Sequence, residues 1–459
     1  MTSRSTIASD SIPLWLLILL AIAWILPGLI GHDPWKPDEA YSFGLVYHIL
    51  QTGDWVVPTL AGEPFMEKPP LFYLTAALFA KIFSAWLPLH DGARLAAGFY
   101  MAFTLLFTGL AARELYGHGR TAVLALLACL GLAPWAHLLI TDTALLAGLA
   151  LGLYGFALGL RKPIHGGLCL GTGAGIAFLS KGLLGPGLLG LAALVLPTLH
   201  QTWRTRAYLM SLLVAVVASL PWLLIWPIAL YLRSPELFGV WLWDNNFGRF
   251  FGTSGLGPKS ERFFYLRTLS WFAWPVWLLA LWGLWRIGRD GLRQPSVLLP
   301  LTTLAVMLLA LMGASDARQV YALPLLLPLT LLSARAMDFL SGRTEIMFYA
   351  LGVTVTLIAL LLPWGIWISL IQGVALFTAL DPSSTPPPVF SWSTAIAILL
   401  SLGGLFALYV LRQQRERTIA TWAVAATLFS GLVMTLLLDT IDGQKSYRDT
   451  MTSLKNALP

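Results

Sequence analysis

Two carboxylate sites flank predicted membrane spans, where ionisable groups are costly and usually functional. Asp38 and Glu39 stand in HDPWKPDEAY, just beyond the first apolar stretch, and Asp142 lies between the apolar segments WAHLLI and TALLAGLALGL. Such carboxylates can act as general bases or hold a divalent cation. The alternative is helix capping, since Pro37, Asp38, Glu39 and Asp142 all suit the first turn of a helix.

Two lysines could meet an anionic ligand near these carboxylates. Lys68 follows Glu67 in FMEKPPLFY, and Lys181 stands in SKGLLGPG between two apolar stretches. A lysine there can contact a phosphate as a compact cation. The alternatives are an ion pair of Lys68 with Glu67 and ordinary snorkelling of both lysines to the membrane interface.

Two arginines stand among aromatic residues further along the chain. Arg249 lies in WDNNFGRFFG, a composition suited to sugar stacking and phosphate pairing or, alternatively, to an interfacial aromatic belt. Arg318 and Tyr321 lie in SDARQVYALP, where Arg318 could fork onto a phosphate or simply pair with Asp316. The histidines lack metal-ligand spacing, and no glycine-rich phosphate loop predicts a nucleotide site.

The composition excludes a soluble protein. Of 459 residues, 57% are hydrophobic and 11% charged, which leaves too few polar groups to cover a water-facing surface. Apolar stretches of about 17 to 25 residues recur along the chain, each long enough to span a bilayer. The sequence therefore predicts a polytopic all-α membrane protein, in which Cys129 and Cys169 lie in apolar spans as small hydrophobic side chains.

The apolar periodicity predicts about thirteen transmembrane helices. The first is a true span, because no convincing small-residue cleavage site follows it. The predicted spans are 12–30, 92–112, 121–139, 143–160, 164–180, 183–200, 207–230, 267–285, 296–313, 319–336, 346–370, 391–411 and 418–438.

The distribution of basic residues predicts the orientation. The net charge is +7, and with a cytoplasmic N-terminus every short inner loop is basic, as the positive-inside rule requires. The long outer segments then carry the candidate site, on the periplasmic side of a bacterial inner membrane.

The predicted domain organisation is one transmembrane unit, 1–438, followed by a C-terminal periplasmic segment, 439–459, that looks like the start of a truncated soluble part. The first outer loop, 31–91, is too long for a plain connection, and its stretches 39–51 and 70–87 predict amphipathic helices lying in the interface. The other outer segments are 231–266 and a proline-rich stretch, 377–390.

Taken in order, these motifs form a recognisable series. The chain reads DEAY, TGDWVVPTLAGEPFMEKPPLFYLTAALFAKIF, ARLAAGFYMAF, TDTALLAGLAL, LSKGLLGP, RFFG and YALPLLLPL. This series resembles the lipid A aminoarabinose transferase (ArnT-like) group, within the larger superfamily that includes the protein O-mannosyltransferases. The likeness runs from the first outer loop to about Leu332, and the TGDW to EKPPL stretch is its most specific part.

The resemblance implies a GT-C glycosyltransferase bundle that takes a sugar from undecaprenyl phosphate and needs no nucleotide. Asp38 would be the principal catalytic carboxylate and Asp142 the second, and Glu39 completes the predicted catalytic set. The predicted donor and phosphate ligands are Glu67, Lys68, Tyr41, Lys181, Arg249, Arg318 and Tyr321. A divalent cation stays open as a cofactor, because Asn246 stands near the position where some relatives carry a histidine proposed to bind metal.

Departures from the family pattern leave the sugar and the acceptor open. Aminoarabinose transferases usually read DETRY where this chain has Ala40, Tyr41 and Ser42. They also usually have a lysine shortly before the tyrosine that corresponds to Tyr321, where this chain has Arg318. The first hypothesis is transfer of 4-amino-4-deoxy-L-arabinose to lipid A or a related outer-leaflet acceptor. The alternatives are a polyprenyl-phosphate hexose or mannose transferase acting on protein or glycan, and a lipid transporter, which should show charges within spans or paired broken helices.

Overall fold

The computed structural model describes residues 11–255, 258, 261–373 and 391–457. Nearly all regular structure in them is helical, with one two-stranded hairpin in which β1 pairs antiparallel with β2. The elements are α1 (Leu14–Ile25), α2 (Asp38–Thr52), β1 (Thr59–Leu60), β2 (Glu63–Pro64), α3 (Leu71–Phe83), α4 (Leu89–Tyr116), α5 (Arg120–Ala128), α6 (Ala133–Ala136), α7 (Asp142–Gly159), α8 (Pro163–Lys181), α9 (Leu184–Leu199), α10 (Arg206–Arg233), α11 (Pro235–Gly239), α12 (Arg249–Phe251), α13 (Phe264–Phe272), α14 (Val276–Leu292), α15 (Pro295–Gly313), α16 (Leu323–Met337), α17 (Gly342–Ile371), α18 (Trp392–Leu411), α19 (Arg417–Leu436), α20 (Leu438–Lys445) and α21 (Arg448–Ala457), with 3₁₀ turns at Gln201–Trp203 and Gln319–Ala322 and a π-helix at Val240–Gly248.

The protein is a multi-pass membrane protein. In the part of the chain that the structure describes, eight helices are long and apolar enough to cross a bilayer, or nine if α13 and α14, which meet at 99°, form one bent span. Three more apolar helices, α1, α3 and α9, are shorter. The all-α polytopic fold is thus confirmed, whereas the count of thirteen spans is not.

Two predicted spans have a different structure: 267–285, which is interrupted between α13 and α14, and 121–139. The stretch 121–139 is divided: α5 ends at Ala128, and a separate single turn, α6, follows. Most of α5 is buried among other helices. Apolar composition alone does not distinguish such a buried core helix from a membrane span.

The two helices predicted within 31–91 are present as α2 and α3. Helix α2 begins directly after Pro37, carries Asp38 and Glu39 in its first turn, and ends at Gly53, whose positive φ of 71° provides a left-handed C-cap. The proline-rich segment 377–390 lies outside the described residues. The predicted tail forms α20 and α21.

Helix α7 is almost completely buried and packs closely on α8, which brings two candidate site residues together. A β-carbon built at Gly173 would lie 2.5 Å from the Gly148 carbonyl oxygen, and one at Gly155 would lie 2.5 Å from the Leu170 nitrogen. Glycine at these positions therefore permits a close antiparallel approach. As a result, the first residue of α7, Asp142, lies beside the last residue of α8, Lys181.

Candidate active site

A line of three polar side chains connects the start of α2 to the loop before α3. The Tyr41 hydroxyl donates to Asp38 Oδ1 at 2.9 Å and accepts a hydrogen bond from Lys68 Nζ at 2.8 Å. The Lys68 ammonium also lies 5.0 Å from the centre of the Tyr41 ring, within cation–π range. Asp38 occupies the first turn of α2, one turn before Tyr41, so the helix itself sets this geometry.

The environment of Lys68 makes it an unusual lysine. Burial, and next the positive charge of Lys181, lower the pKa of Lys68 to about 8, although Asp142, Glu67 and Asp38 oppose the shift. Because burial removes water from the ammonium, an anionic partner would stabilise its charged form strongly.

The second carboxylate holds the second lysine. Lys181 Nζ forms an ion pair with Asp142 Oδ1, and the ammonium lies 4.2 Å from the centre of the Tyr321 ring. Both side chains of the pair are largely buried. Asp142 is the first residue of α7, which has no side-chain cap, and its carboxylate fixes a cation at the same end of the bundle as Lys68.

Arg249 is the third cation of the cluster, and its guanidinium contacts three groups. Its Nε donates to Asp316 Oδ2 at 2.9 Å, one terminal nitrogen lies 3.2 Å from Glu67 Oε2, and the other lies 3.3 Å from the Tyr321 hydroxyl. These contacts join the segments 31–91 and 231–266 and the start of the span 319–337 at one point.

Asn246 fixes the π-helix that precedes Arg249. Its Oδ1 accepts from the Leu183 backbone N–H at 3.0 Å, and its Nδ2 donates to the Trp241 carbonyl at 2.7 Å. Gly182, which precedes Leu183, has a φ of 68° and faces the Asn246 amide so closely that a side chain would collide with it. The amide of Asn246 is thus occupied in linking the loop to the turn after α8.

A cavity of about 340 Å³ connects this cluster to an apolar channel. Its polar lining consists of Glu67, Lys68, Lys181, Arg249, Asp316 and Tyr321, with the amides of Asn245 and Asn246. The remaining wall is apolar and includes Leu184, Leu188, Leu191, Phe250 and Leu311. A cavity with cations at one end and aliphatic walls at the other fits an amphiphile with a small anionic head and a hydrocarbon tail.

Glu39, like its neighbour Asp38, is not among the residues of the cavity wall. Its side chain is buried, and Oε1 accepts from Arg94 Nε and from the Leu139 backbone N–H, both at 2.8 Å. Oε2 accepts from the Trp35 N–H at 3.1 Å. The carboxylate therefore joins α2 to α4 and to the segment just before Asp142.

Arg318 also differs from the sequence expectation. Its side chain is 41% exposed, and its closest carboxylate oxygen is Asp316 Oδ1 at 3.9 Å. It is absent from the cavity wall, and Asp316 forms its short contact with Arg249 instead.

Two further charged residues were missed by sequence reasoning. Asp316 belongs to the cavity wall, whereas from the sequence it was only a candidate partner of Arg318. Arg94 is completely buried and binds both Glu39 and Asp91. An arginine within an apolar helix was the available signal for Arg94, because such a residue needs partners.

Among the residues described, no group of three or more histidine, cysteine, aspartate or glutamate side chains could hold a metal ion.

Comparison with known proteins supplies a family context. A sequence model described as dolichyl-phosphate-mannose-protein mannosyltransferase matches residues 67–226. The undecaprenyl phosphate-alpha-4-amino-4-deoxy-L-arabinose arabinosyl transferase of Serratia proteamaculans is 27% identical over 439 residues, a match that covers 91% of this chain and 75% of that protein. The corresponding transferase 1 of Pseudomonas fluorescens is 28% identical over 450 residues, covering 92% of this chain and 72% of that one.

The fold has a counterpart among solved structures. The crystal structure of ArnT from Cupriavidus metallidurans bound to undecaprenyl phosphate superimposes with a TM-score of 0.73 at 20% identity, covering 97% of this chain and 80% of that one. The same protein in the apo state gives a TM-score of 0.71, also at 20% identity, covering 94% of this chain and 77% of that one.

Fold and relatives together define a membrane glycosyltransferase of the GT-C class. Within that class the chain is ArnT-like, as the motifs of the first outer loop predicted.

Proposed function

We propose that this protein transfers a sugar from undecaprenyl phosphate to an acceptor in the outer leaflet, with 4-amino-4-deoxy-L-arabinose and lipid A as the first candidates. The observation that carries the proposal is the cluster of Lys68, Lys181 and Arg249 at the polar end of an otherwise apolar cavity. A polyprenyl-phosphate sugar has the matching form, a phosphodiester between a sugar and a long hydrocarbon chain. The names of the curated relatives support the same donor.

The cations would stabilise the leaving group. During transfer a bond forms between an acceptor oxygen and the anomeric carbon, while the bond from that carbon to the phosphate oxygen breaks and its electron pair stays on the phosphate. Negative charge therefore grows on undecaprenyl phosphate in the transition state. Donors already fixed around that position stabilise the charge without reorganisation, and the contacts of Lys181 with Asp142 and of Arg249 with Asp316 hold two of them in place.

Asp38 is the proposed catalytic carboxylate. Its carboxylate accepts a hydrogen bond from the Tyr41 hydroxyl, which in turn accepts one from Lys68, the lysine proposed to bind the phosphate. In this role it would accept the proton of the acceptor nucleophile as the new glycosidic bond forms. We assign Asp142 to holding Lys181 against the leaving group, and Glu39 to positioning α2 rather than to proton transfer.

We further propose that the N-terminus is cytoplasmic and that the cluster opens on the periplasmic side of a bacterial inner membrane. The support is the basic character of the short loops at the opposite ends of the helices. Residues 1–438 would then form the transferase unit. The segment 439–459 would be periplasmic.

A second candidate is transfer of mannose or another hexose to protein or glycan from the same kind of carrier. The match of residues 67–226 to the mannosyltransferase family favours it. The donor chemistry would be unchanged, because the cluster recognises the phosphate and the chain, and only the sugar and the acceptor would differ.

The test is a transfer assay on the purified full chain. Undecaprenyl phosphates carrying aminoarabinose, mannose or another hexose are supplied with lipid A and with periplasmic protein as acceptors. Mass spectrometry of the products is expected to find aminoarabinose on lipid A. A hexosylated product would instead establish the second candidate, and donor that crosses the bilayer without being consumed would refute both and indicate a transporter.

A further inference from the structure

A second cavity lies at the opposite end of the bundle from the candidate active site. It has a volume of about 490 Å³ and is lined by Leu110, Arg113, Glu114, Gly117, Tyr154 and Arg161. Helix α4 begins near the start of α2, which it contacts through the ion pair of Arg94 with Glu39, and it runs for 28 residues, about 42 Å, before this cavity. The distance matches a full crossing of the membrane, including the headgroup region on each side.

The charges around this cavity are predominantly positive. Arg161 forks onto Glu114, with nitrogen to oxygen distances of 2.9 to 3.3 Å, yet its side chain is still 61% exposed. The Arg113 residue is exposed, and its guanidinium forms no hydrogen bond or ion pair with any residue in the described part of the chain. Lys162, next to Arg161, is also exposed. Glu114 neutralises only one of these three cations.

An apolar, lipid-facing surface continues from the cavity toward the membrane centre. On α4, Phe99, Phe103 and Leu106 are 39%, 38% and 52% exposed. The rings of Phe99, Phe103, Phe107 and Tyr154 follow one another with centroid distances of 4.7, 5.6 and 6.0 Å, and Tyr154 lines the cavity itself. Acyl chains can pack along such a ridge while a headgroup enters the cavity.

From this juxtaposition we infer that the cavity binds the headgroup of an anionic phospholipid, whose acyl chains lie along the aromatic ridge of α4. Charge complementarity favours this ligand. The unpaired cations lie at headgroup level and would bind a negatively charged headgroup, and the adjoining apolar surface would contact the acyl chains. Basic pockets between transmembrane helices on the side with basic loops bind such headgroups. The site is separate from the donor cavity, and the inference is independent of the proposed transfer reaction.

The experiment is native mass spectrometry of the full chain, titrated with cardiolipin and, separately, with phosphatidylcholine. The wild type should bind cardiolipin in preference to phosphatidylcholine. The double variant R113Q/R161Q should bind cardiolipin about thirtyfold more weakly, as expected for the loss of two cations near the membrane surface.

A matched control removes the same charge elsewhere at the same end of the bundle. Arg286 and Arg289 are exposed on α14, and the following helix, α15, contacts the end of α4 through the hydrogen bond from Tyr116 to the Ser296 carbonyl. R286Q/R289Q should bind cardiolipin like the wild type. Equal loss in both double variants, or equal binding of phosphatidylcholine by the wild type, would overturn the site.

Two further measurements complete the test. The first distinguishes loss of charge from unfolding, and the second distinguishes binding of a lipid headgroup from binding of a soluble anion. R113Q alone breaks no contact seen in the structure, so it should keep the wild-type unfolding temperature and still bind cardiolipin more weakly. Sodium pyrophosphate at matched ionic strength should leave cardiolipin bound. If pyrophosphate displaces the lipid completely, the cavity recognises a soluble anion and the lipid assignment fails.

Discussion

Adjacent carboxylates at the start of α2 should respond to neutralisation in opposite ways. Asp38 is partly buried and accepts one hydrogen bond, from Tyr41. Glu39 is fully buried and accepts hydrogen bonds from Arg94, Leu139 and Trp35. We therefore expect Asp38→Asn to abolish catalysis with little loss of stability, and Glu39→Gln to unfold the protein more readily.

The structure sets the size of each effect. Breaking a buried ion pair costs about 3 to 5 kcal/mol, and Arg94 keeps a second carboxylate partner, Asp91, at 2.7 Å. Glu39→Gln should thus cost about 3 kcal/mol, near the lower end of that range. The amide oxygen introduced by Asp38→Asn can still accept from Tyr41, so this change should cost no more than about 1 kcal/mol, whereas loss of a general base lowers kcat by about 10² to 10⁴.

The assay pairs thermal unfolding in detergent with kcat measured well below the unfolding transition. Asp38→Asn should unfold like the wild type with a collapsed kcat. Glu39→Gln should unfold several degrees earlier, and its folded fraction should retain most of the rate. Wild-type stability together with a collapsed kcat in Glu39→Gln would refute this separation of roles and return Glu39 to the catalytic set.

Three further perturbations test the other contacts. Lys68 has a pKa of about 8 and loses its charge above that pH, so kcat/KM, which reports the free enzyme, should fall as the pH rises through 8. Lys68→Arg should remove that fall. A pH profile of kcat/KM that is identical in both proteins would contradict a phosphate-binding role for Lys68. Arg249→Lys keeps the charge but loses the fork onto Glu67, Asp316 and Tyr321, so affinity for the carrier lipid, measured by titration with undecaprenyl phosphate, should fall about tenfold. Unchanged affinity would mean that the charge alone suffices. Asp442 accepts hydrogen bonds from the backbone N–H of Asp33 and the indole of Trp35, just before α2. Asp442→Ala should therefore loosen the start of α2 and lower kcat up to about tenfold at constant KM. The exposed Asp449→Ala should match the wild type in the same kinetics.

Local motifs predicted the parts of the site that adjoin a helix end. Asp38 after Pro37, Asp142 at the start of an apolar helix and Lys181 at the end of another were all expected on one side of the membrane, and the structure brings the last two into contact. The alternation of span and loop predicts that these residues share one end of the bundle. It could not assign partners, because those depend on which helices are neighbours in the bundle.

The missed features all depend on contacts between distant segments. Glu39 and Arg94 are 55 positions apart, and Arg249 and Asp316 are 67 apart. From the sequence, Glu39 was indistinguishable from Asp38, and Asp316 looked like a partner for nearby Arg318. Contact between α2 and α4 brings the first pair together, and the link from Asn246 to the Leu183 backbone fixes the segment that carries Arg249. Neither contact leaves a periodic pattern in the sequence.

The most direct measurement of the central claim is the mass balance of one reaction, run with wild type and with Asp38→Asn at matched protein concentration. Aminoarabinosyl undecaprenyl phosphate is supplied with lipid A, and released undecaprenyl phosphate and modified lipid A are both quantified. If Asp38 is the general base, the wild type should yield equal amounts of the two products and Asp38→Asn almost none, although that variant should still bind the donor. Equal product from both proteins would contradict the catalytic role of Asp38. Transfer itself would be contradicted if the wild type binds the donors but releases no undecaprenyl phosphate with any of the sugars and acceptors named above.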